Sequence, residues 1–190
     1  STFKIPMAVA ALETKTMSPS STVFCNGGYQ FGKRLYHDWK ASGHGYVDLH
    51  DALVHSCDVY FYTIGQRMGI DVMAEFGKDF GLGKATGVEL PSERAGIMPS
   101  TAWKQKAKNE QWLPGETISA AIGQGYVTVT PLQMASLVGT VANNGVSYRP
   151  RLVQAVMDRT SGNLQELPAV PRWKINAKPE TFRVIKDALA

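Results

Sequence analysis

Ile5 to Leu12 is an almost unbroken apolar run, and Ser1-Thr2-Phe3-Lys4 stands directly before it. The run predicts a helix from Ser1 to about Glu13, with Pro6 tolerated near the start, where its missing N–H has no intrahelical partner anyway. Met17 to Ser21 reads as a loop. Thr22 to Trp39 is rich in Gly and aromatics, with Asn26-Gly27-Gly28 and Phe31-Gly32, and predicts a hairpin or an irregular excursion. Asp48–His55 and Asp58–Met68 carry the pattern of two short helices, with Ser56-Cys57-Asp58 at the turn between them. Asp71–Phe80 is a third, closed by Gly81. Residues 85–104 read as loop-rich around Pro91 and Pro99. Thr130-Pro131 opens a clear helix with Leu132, Ala135, Leu137, Val138 and Val141 in register, stopped by Asn143-Asn144-Gly145. Val146–Met157 reads as extended, with Leu152, Val153, Val156 and Met157 on a half-buried strand. Asp158–Asn163 reads as a turn, and Lys178-Pro179-Glu180 begins a last helix that the chain end is expected to cut off.

Composition narrows this little. The 190 residues fit one domain or a large piece of one, and 44% hydrophobic with 19% charged residues is a globular balance. The net charge of +4 is scattered, with a loose cluster at Lys104, Lys106 and Lys108, and no stripe of interleaved basic and aromatic residues points to nucleic acid. No apolar run approaches the roughly 18 residues of a membrane span, and no signal peptide is visible. The two cysteines, Cys25 and Cys57, permit one disulfide, one metal site or two free thiols.

Candidate chemistry sits at the start of the first helix and, far downstream, at the Ser56-Cys57-Asp58 turn. Ser1 and Lys4, three apart on a helix, share one face, which suits a hydroxyl nucleophile beside an amine that can take its proton. Such a pair is expected by chance about once in a chain this long, so its context matters. Locally, Ser1 could be an N-cap and Lys4 a solvated residue, and Ser56 and Asp58 could be caps.

That context resembles the transpeptidase domain of class B penicillin-binding proteins, most closely the elongation type (the penicillin-binding protein 2 group), along the whole chain. Ser1-Thr2-Phe3-Lys4 matches the family's nucleophile motif and Ser56-Cys57-Asp58 its second motif, with Asp rather than Asn at the third place favouring the elongation type. His37-Asp38-Trp39-Lys40, Phe80-Gly81-Leu82-Gly83, Gly87-Val88-Glu89-Leu90 and the long block Ala121-Ile122-Gly123-Gln124-Gly125-Tyr126 to Thr130-Pro131-Leu132-Gln133-Met134-Ala135 also match. The third motif, Lys-Thr-Gly or Lys-Ser-Gly, is absent; Lys84-Ala85-Thr86-Gly87 does not supply it, because Ala85 stands between the Lys and the Thr. The resemblance therefore implies an α+β serine-transpeptidase-like domain, here residues 1–190 as a mostly helical part lacking much of the central antiparallel sheet. A chain beginning on its nucleophile and ending before Lys-Thr-Gly is expected to be a piece of a longer protein, and inactive by itself.

The resemblance implies a D-Ala-D-Ala transpeptidase/carboxypeptidase that cross-links peptidoglycan stem peptides during elongation and takes β-lactams covalently. Ser1 is the nucleophile and Lys4 its base, provided the amine is neutral. Ser56 relays a proton, and Asp58 orients the group while favouring the charged amine. A β-lactam sensor, a β-lactamase or a silent structural domain are the alternatives. The family also implies the periplasmic face of the inner membrane, an upstream anchor, and a membrane-bound elongation complex. Cys25, Asp38, His44 and Cys57 supply the thiolate, carboxylate and imidazole groups that zinc prefers, and some elongation-type members are similar in having a metal site in this segment. The rivals are a Cys25–Cys57 disulfide and free thiols. His37 is the substitute ligand, and His50 and His55 read as surface or capping residues.

Overall fold

A computed structural model describes residues 1–190, and its architecture is mixed, with helices forming the core and strands occurring only in pairs. The first helix, α1 (Lys4–Glu13), is buried on nearly all sides from Lys4 to Ala11. A helix apolar all round belongs at the centre of a domain rather than on its surface. The Gly- and aromatic-rich stretch resolves into β1 (Val23–Cys25) and a hairpin of β2 (Gly28–Phe31) and β3 (Arg34–His37), with β4 (Gly45–Val47) returning to pair antiparallel with β1. Two backbone crossings lock this segment. A Cβ on Gly27 would lie 2.1 Å from the Ala41 carbonyl oxygen, and one on Gly43 would lie 2.2 Å from that of Cys25. Both glycines have positive φ, +95° and +74°, so no other residue fits easily.

Next come α2 (Leu49–Val54), α3 (Asp58–Met68) and α4 (Ile70–Asp79). Gly69 and Gly81, both at positive φ, bracket α4. Further along are α5 (Thr101–Lys108), α6 (Pro114–Ala121) and α7 (Pro131–Ala142). The core is built around α3, whose Tyr60, Phe61 and Ile64 are fully buried with Met7, Met73 and Ile118. Gly65 lets α6 approach α3 closely: a Cβ there would sit 2.4 Å from the Cβ of Ala121. At the head of α7, Thr130 and Gln133 cap reciprocally, Gln133 N–H to Thr130 Oγ1 at 3.1 Å and Thr130 N–H to Gln133 Oε1 at 2.8 Å. The buried Gln133 amide also donates to the carbonyls of Lys84 and Ala95 at 2.8 and 2.7 Å. The Thr-Pro-Leu-Gln block therefore clamps the 84–96 loop to the helical core.

The C-terminal third corrects the expected single extended run. β5 (Val146–Tyr148) pairs with β8 (Pro171–Lys174), and a separate hairpin of β6 (Ala155–Met157) and β7 (Leu164–Glu166) follows a break at Pro150, which has no N–H to donate. Leu152, Val153, Val156 and Met157 are exposed at 59%, 43%, 53% and 62%, not half-buried, because no second layer covers this two-stranded ribbon. Asp158–Asn163 does make its turn: Asp158 Oδ1 accepts from the amides of Thr160 and Ser161. The last helix, α8 (Pro179–Asp187), has Ala188 as its C-cap, and a helical bond from the Ala190 amide to the Lys186 carbonyl at 3.1 Å reaches the last residue of the chain. It is tied to α1 through Glu13, which accepts from the Lys178 amide at 2.9 Å and from the Thr181 hydroxyl. Two helices fall where none is expected. α5 starts at Ser100, whose Oγ accepts from the Trp103 amide, and α6 starts at Pro114 with Glu116 reaching back to the Leu113 amide at 2.8 Å. No helix is long and apolar enough to cross a membrane.

Candidate active site

Ser1 sits one turn before α1. The amides of Lys4 and Ile5 bond back to the carbonyls of Ser1 and Thr2 at 2.9 and 3.2 Å, which holds the leading residues in a helix-like turn. Ser1 and Lys4 thus point the same way, and Lys4 is only 3% exposed.

Ser56 arrives from the turn between α2 and α3. Cys57 N–H bonds to Ala52 O at 2.9 Å and Ser56 N–H to Leu53 O at 3.2 Å, the paired bonds of a Schellman helix ending. The residue in the left-handed position of that motif is usually Gly, because a Cβ there is strained; here it is Ser56, at φ +53°. A serine kept where glycine is easier points to a use for its hydroxyl. That hydroxyl lies 2.8 Å from Ser1 Oγ and 2.8 Å from Lys4 Nζ. Lys4 Nζ also donates to the Ser56 carbonyl and to Asp58 Oδ1, both at 2.6 Å. The structure thus brings Ser1, Lys4, Ser56 and Asp58 into one hydrogen-bonded chain, with Ser56 between the other hydroxyl and the amine.

Trp39 completes the wall. Its backbone N–H donates to Asp58 Oδ2 at 3.2 Å, and its indole N–H to the carbonyls of His55 and Ser56, both at 3.1 Å. The ring itself is 65% exposed at the edge of an open cleft of about 560 Å³ lined by Ser1, Lys4, Ser56, Asp58, Ile122 and Gln124. The loop carrying Ile122 and Gln124 lies against the start of α1 because Gly123, at φ +80°, leaves room for Phe3; a Cβ there would be 2.8 Å from the Phe3 Cβ.

Behind the Ser-Cys-Asp turn lies a second cluster. The donor atoms of Cys25, Asp38, His44 and Cys57 all fall within 4.8 Å of one another. Asp38 Oδ2 is 3.5 Å from each of the two sulfurs, and His44 Nδ1 is 3.5 Å from Cys25 Sγ and 3.5 Å from Asp38 Oδ1. Ligands around a tetrahedral zinc stand about 3.3–3.8 Å apart, so this spacing fits the ion. The chemistry fits as well, with two sulfurs, one imidazole nitrogen and one carboxylate oxygen. Both cysteines are buried free thiols, and burial first, then the neighbouring Cys25 thiol and Asp38 charge, pushes the Cys57 thiol well above its ordinary range. A dication is the group that would make such thiolates comfortable. His37 stays outside the cluster and exposed, with its carbonyl accepting from Tyr62. His50 pairs with Asp51 at the surface, and His55 stacks its ring on His44.

Asp38 has a second role that its sequence position did not reveal. Its Oδ2 accepts from the Asp58 and Val59 amides at 2.8 and 3.1 Å, so it caps α3 from a distant loop, and its Oδ1 accepts from Lys40 N–H at 3.1 Å. Burial opposes the charged carboxylate, yet these amides and the two thiols together bring its pKa below the ordinary value. One carboxylate thereby joins the cysteine cluster to the backbone that carries Asp58.

The penicillin binding protein transpeptidase domain is the known family whose pattern matches, over residues 1–190. Over 158 residues the chain is 42% identical to the peptidoglycan D,D-transpeptidase MrdA of Haemophilus influenzae, a match covering 82% of this chain and 24% of that protein. The fold superposes on PBP2 of Pseudomonas aeruginosa, crystallised in complex with WCK 5153, with a TM-score of 0.86 and 32% identity, across 100% of this chain and 42% of that one. PBP2 of Helicobacter pylori, solved in complex with MreC, gives a TM-score of 0.81 and 30% identity across 100% of this chain and 33% of that one. The chain thus spans about a quarter of the length of the curated relative from H. influenzae.

Proposed function

Because the chain belongs to the penicillin-binding protein transpeptidase family, we propose that the whole protein is an elongation-type peptidoglycan D,D-transpeptidase acting through a serine acyl-enzyme. The observation that carries the reading is the Ser1–Ser56–Lys4–Asp58 chain of hydrogen bonds at the cleft. Ser1 Oγ attacks the carbonyl between the two D-alanines of a stem peptide. Its proton leaves toward Ser56 Oγ, and that hydroxyl passes one on toward Lys4 Nζ, which accepts it when the amine is neutral. Collapse of the tetrahedral intermediate breaks the C–N bond, and the departing nitrogen takes a proton back through Ser56, releasing D-alanine. The amine of a second stem peptide then attacks the ester, forms the new amide, and returns a proton to Ser1. Asp58 fixes the Lys4 amine in range of Ser56 through its Oδ1 at 2.6 Å.

A β-lactam enters the same path because its strained amide resembles D-Ala-D-Ala. Its ring opens onto Ser1 and the ester persists. Cys25, Asp38, His44 and Cys57 hold a zinc ion in this reading, and the ion's role is structural: it neutralises the thiolates and pins the turn on which Ser56 and Asp58 sit. The setting is the periplasmic face of the bacterial inner membrane, in a complex that includes an MreC-like partner, by analogy with the PBP2–MreC complex of H. pylori.

The deciding experiment is labelled-penicillin acylation of the whole protein, read by intact mass, in parent and Ser1→Ala. One acyl group in the parent and none in the variant is expected; equal labelling would sink the serine assignment. Metal analysis of chelator-free protein should find one zinc per chain, and two freely titrating thiols with no zinc would remove the metal from the reading.

A further inference from the structure

We infer that a groove running from the serine cleft past Trp39 to Arg34 binds an acidic peptide arm, with Arg34 recognising its carboxylate. The groove is continuous: Trp39, Asp58, Ile122 and Gln124 line both the serine cleft and the hollow beside it. Arg34, Tyr36 and Ser119 in turn are shared between that hollow and a further one that ends at Gly125 and Tyr126.

The lining chemistry selects the occupant. Beside Arg34, the hollow that ends at Tyr126 is lined by the small residues Gly115, Ser119 and Gly125, so an extended backbone can approach closely there. Tyr36 and Tyr126 form apolar walls, and the Tyr36 hydroxyl is already occupied as donor to the Gly115 carbonyl at 3.0 Å. Of the charges along this path, Asp58 is paired with Lys4, Asp38 is turned inward on the α3 amides and the thiols, and Glu116 is held by Lys104 at 2.6 Å and by the Leu113 amide. Arg34 alone has no carboxylate partner. Its guanidinium instead lies 4.7 Å over the Tyr36 ring, which holds the fork in place while leaving its N–H groups toward solvent. An unpaired, pre-positioned guanidinium where the two hollows meet suits a carboxylate on a peptide lying with its reactive end at Ser1.

That an arm should lie here at all rests on the transpeptidase reading, which requires two peptides to meet at Ser1. The test does not. Binding is measured to whole protein carrying Ser1→Ala, which cannot acylate, with two fluorescent peptides ending in D-Ala-D-Ala. They differ only in whether a mid-chain side-chain carboxylate is free or amidated. The acid form should bind about tenfold more tightly, and Arg34→Gln should erase that preference. Arg34→Lys should recover part of it, and raising salt should shrink it. Unfolding temperatures equal to the parent's establish that the variants are folded. No preference in the parent, or the same preference in Arg34→Gln, overturns the proposal. Failure of the serine reading shows separately, as absent penicillin labelling at Ser1, without touching this result.

Discussion

Replacing Asp38 by alanine should damage stability and the serine site together, through a residue that touches neither Ser1 nor Lys4. Asp38 is 5% exposed, so water does not readily replace it. Its removal strips the distant cap from α3, a loss of about 0.5–2 kcal/mol for an ordinary N-cap. It also orphans the Asp58, Val59 and Lys40 amides, of which the buried one, at Val59, costs about 1–3 kcal/mol when left unmet and the others less. The vacated space admits some water and α3 can shift, so the two effects overlap, and we predict a net loss of about 2–4 kcal/mol. For a domain of this size that lowers the unfolding temperature by roughly 5–15 °C. The displaced Asp58 amide should also slow penicillin acylation at least about tenfold, because Asp58 no longer holds Lys4 beside Ser56. Asp38→Asn separates the two roles. It keeps a carbonyl oxygen for the amides, so it should lose less than half as much stability, but it should weaken the proposed zinc site. Differential scanning calorimetry, stopped acylation time courses and metal analysis on the whole protein read all three quantities. An alanine variant that melts within about 2 °C of the parent and acylates at the parent's rate would refute the idea that Asp38 links the cluster to the catalytic turn.

Ser56→Gly should raise the unfolding free energy by about 0.5–1 kcal/mol by relieving the left-handed strain, while lowering acylation at least about a hundredfold; a destabilised glycine variant would contradict the strain argument. Gly43→Ala should destabilise the domain by more than about 2 kcal/mol and lower zinc uptake at the proposed site, since its Cβ would meet the Cys25 carbonyl oxygen at 2.2 Å; zinc uptake equal to the parent's would count against it. Glu93 accepts from Thr86 and Gly87 amides and lies near Arg172, and although burial opposes the charge, these contacts hold its pKa below the ordinary 4.5. Its contribution is therefore complete above pH 4.5 and lost as pH falls through the lower folded value, so Glu93→Gln should flatten the acid limb of the stability curve there; an unchanged limb would show that Glu93 is not a source.

What could be read before folding was what the chain states locally. The apolar run of α1, the Thr130-Pro131 start of α7 and its Asn-Asn-Gly stop are decided by neighbours in sequence, and all three stand where the pattern puts them, except that α1 begins at Lys4 rather than at Ser1. Pairing of Ser1 with Lys4, and of Ser56 with Asp58, was legible for the same reason. α6 was not, because Pro114-Gly115 resembles a breaker, and its capping depends on Glu116 swinging back to Leu113. Burial along Leu152–Met157 was misread because alternation says which residues share a face, never whether another layer arrives to cover it. Asp38 as the cap of α3, Trp39 as the brace of the turn, and Arg34 as the unpaired cation were all invisible: each depends on partners from other segments. Only a cap written in the usual adjacent position leaves a local signal, and that position holds Cys57.

The turn that presents Ser56 also sets an order of events during folding. Ser1 and Ser56 stand 55 residues apart in the chain, so their contact closes a long loop, against an entropy of about 3–4 kcal/mol for free chain. Contacts within the cysteine cluster span only 13 to 19 residues and can form earlier. Once Cys25 and Cys57 are joined through Asp38, more than half of the long loop is already taken up. Halving a loop recovers only about 0.6 kcal/mol, so the hydroxyl pair still assembles late, after α3 has its cap and the turn its shape. A newly made chain should therefore acquire the cap on α3 and the shape of its turn before Ser1 and Ser56 come into contact.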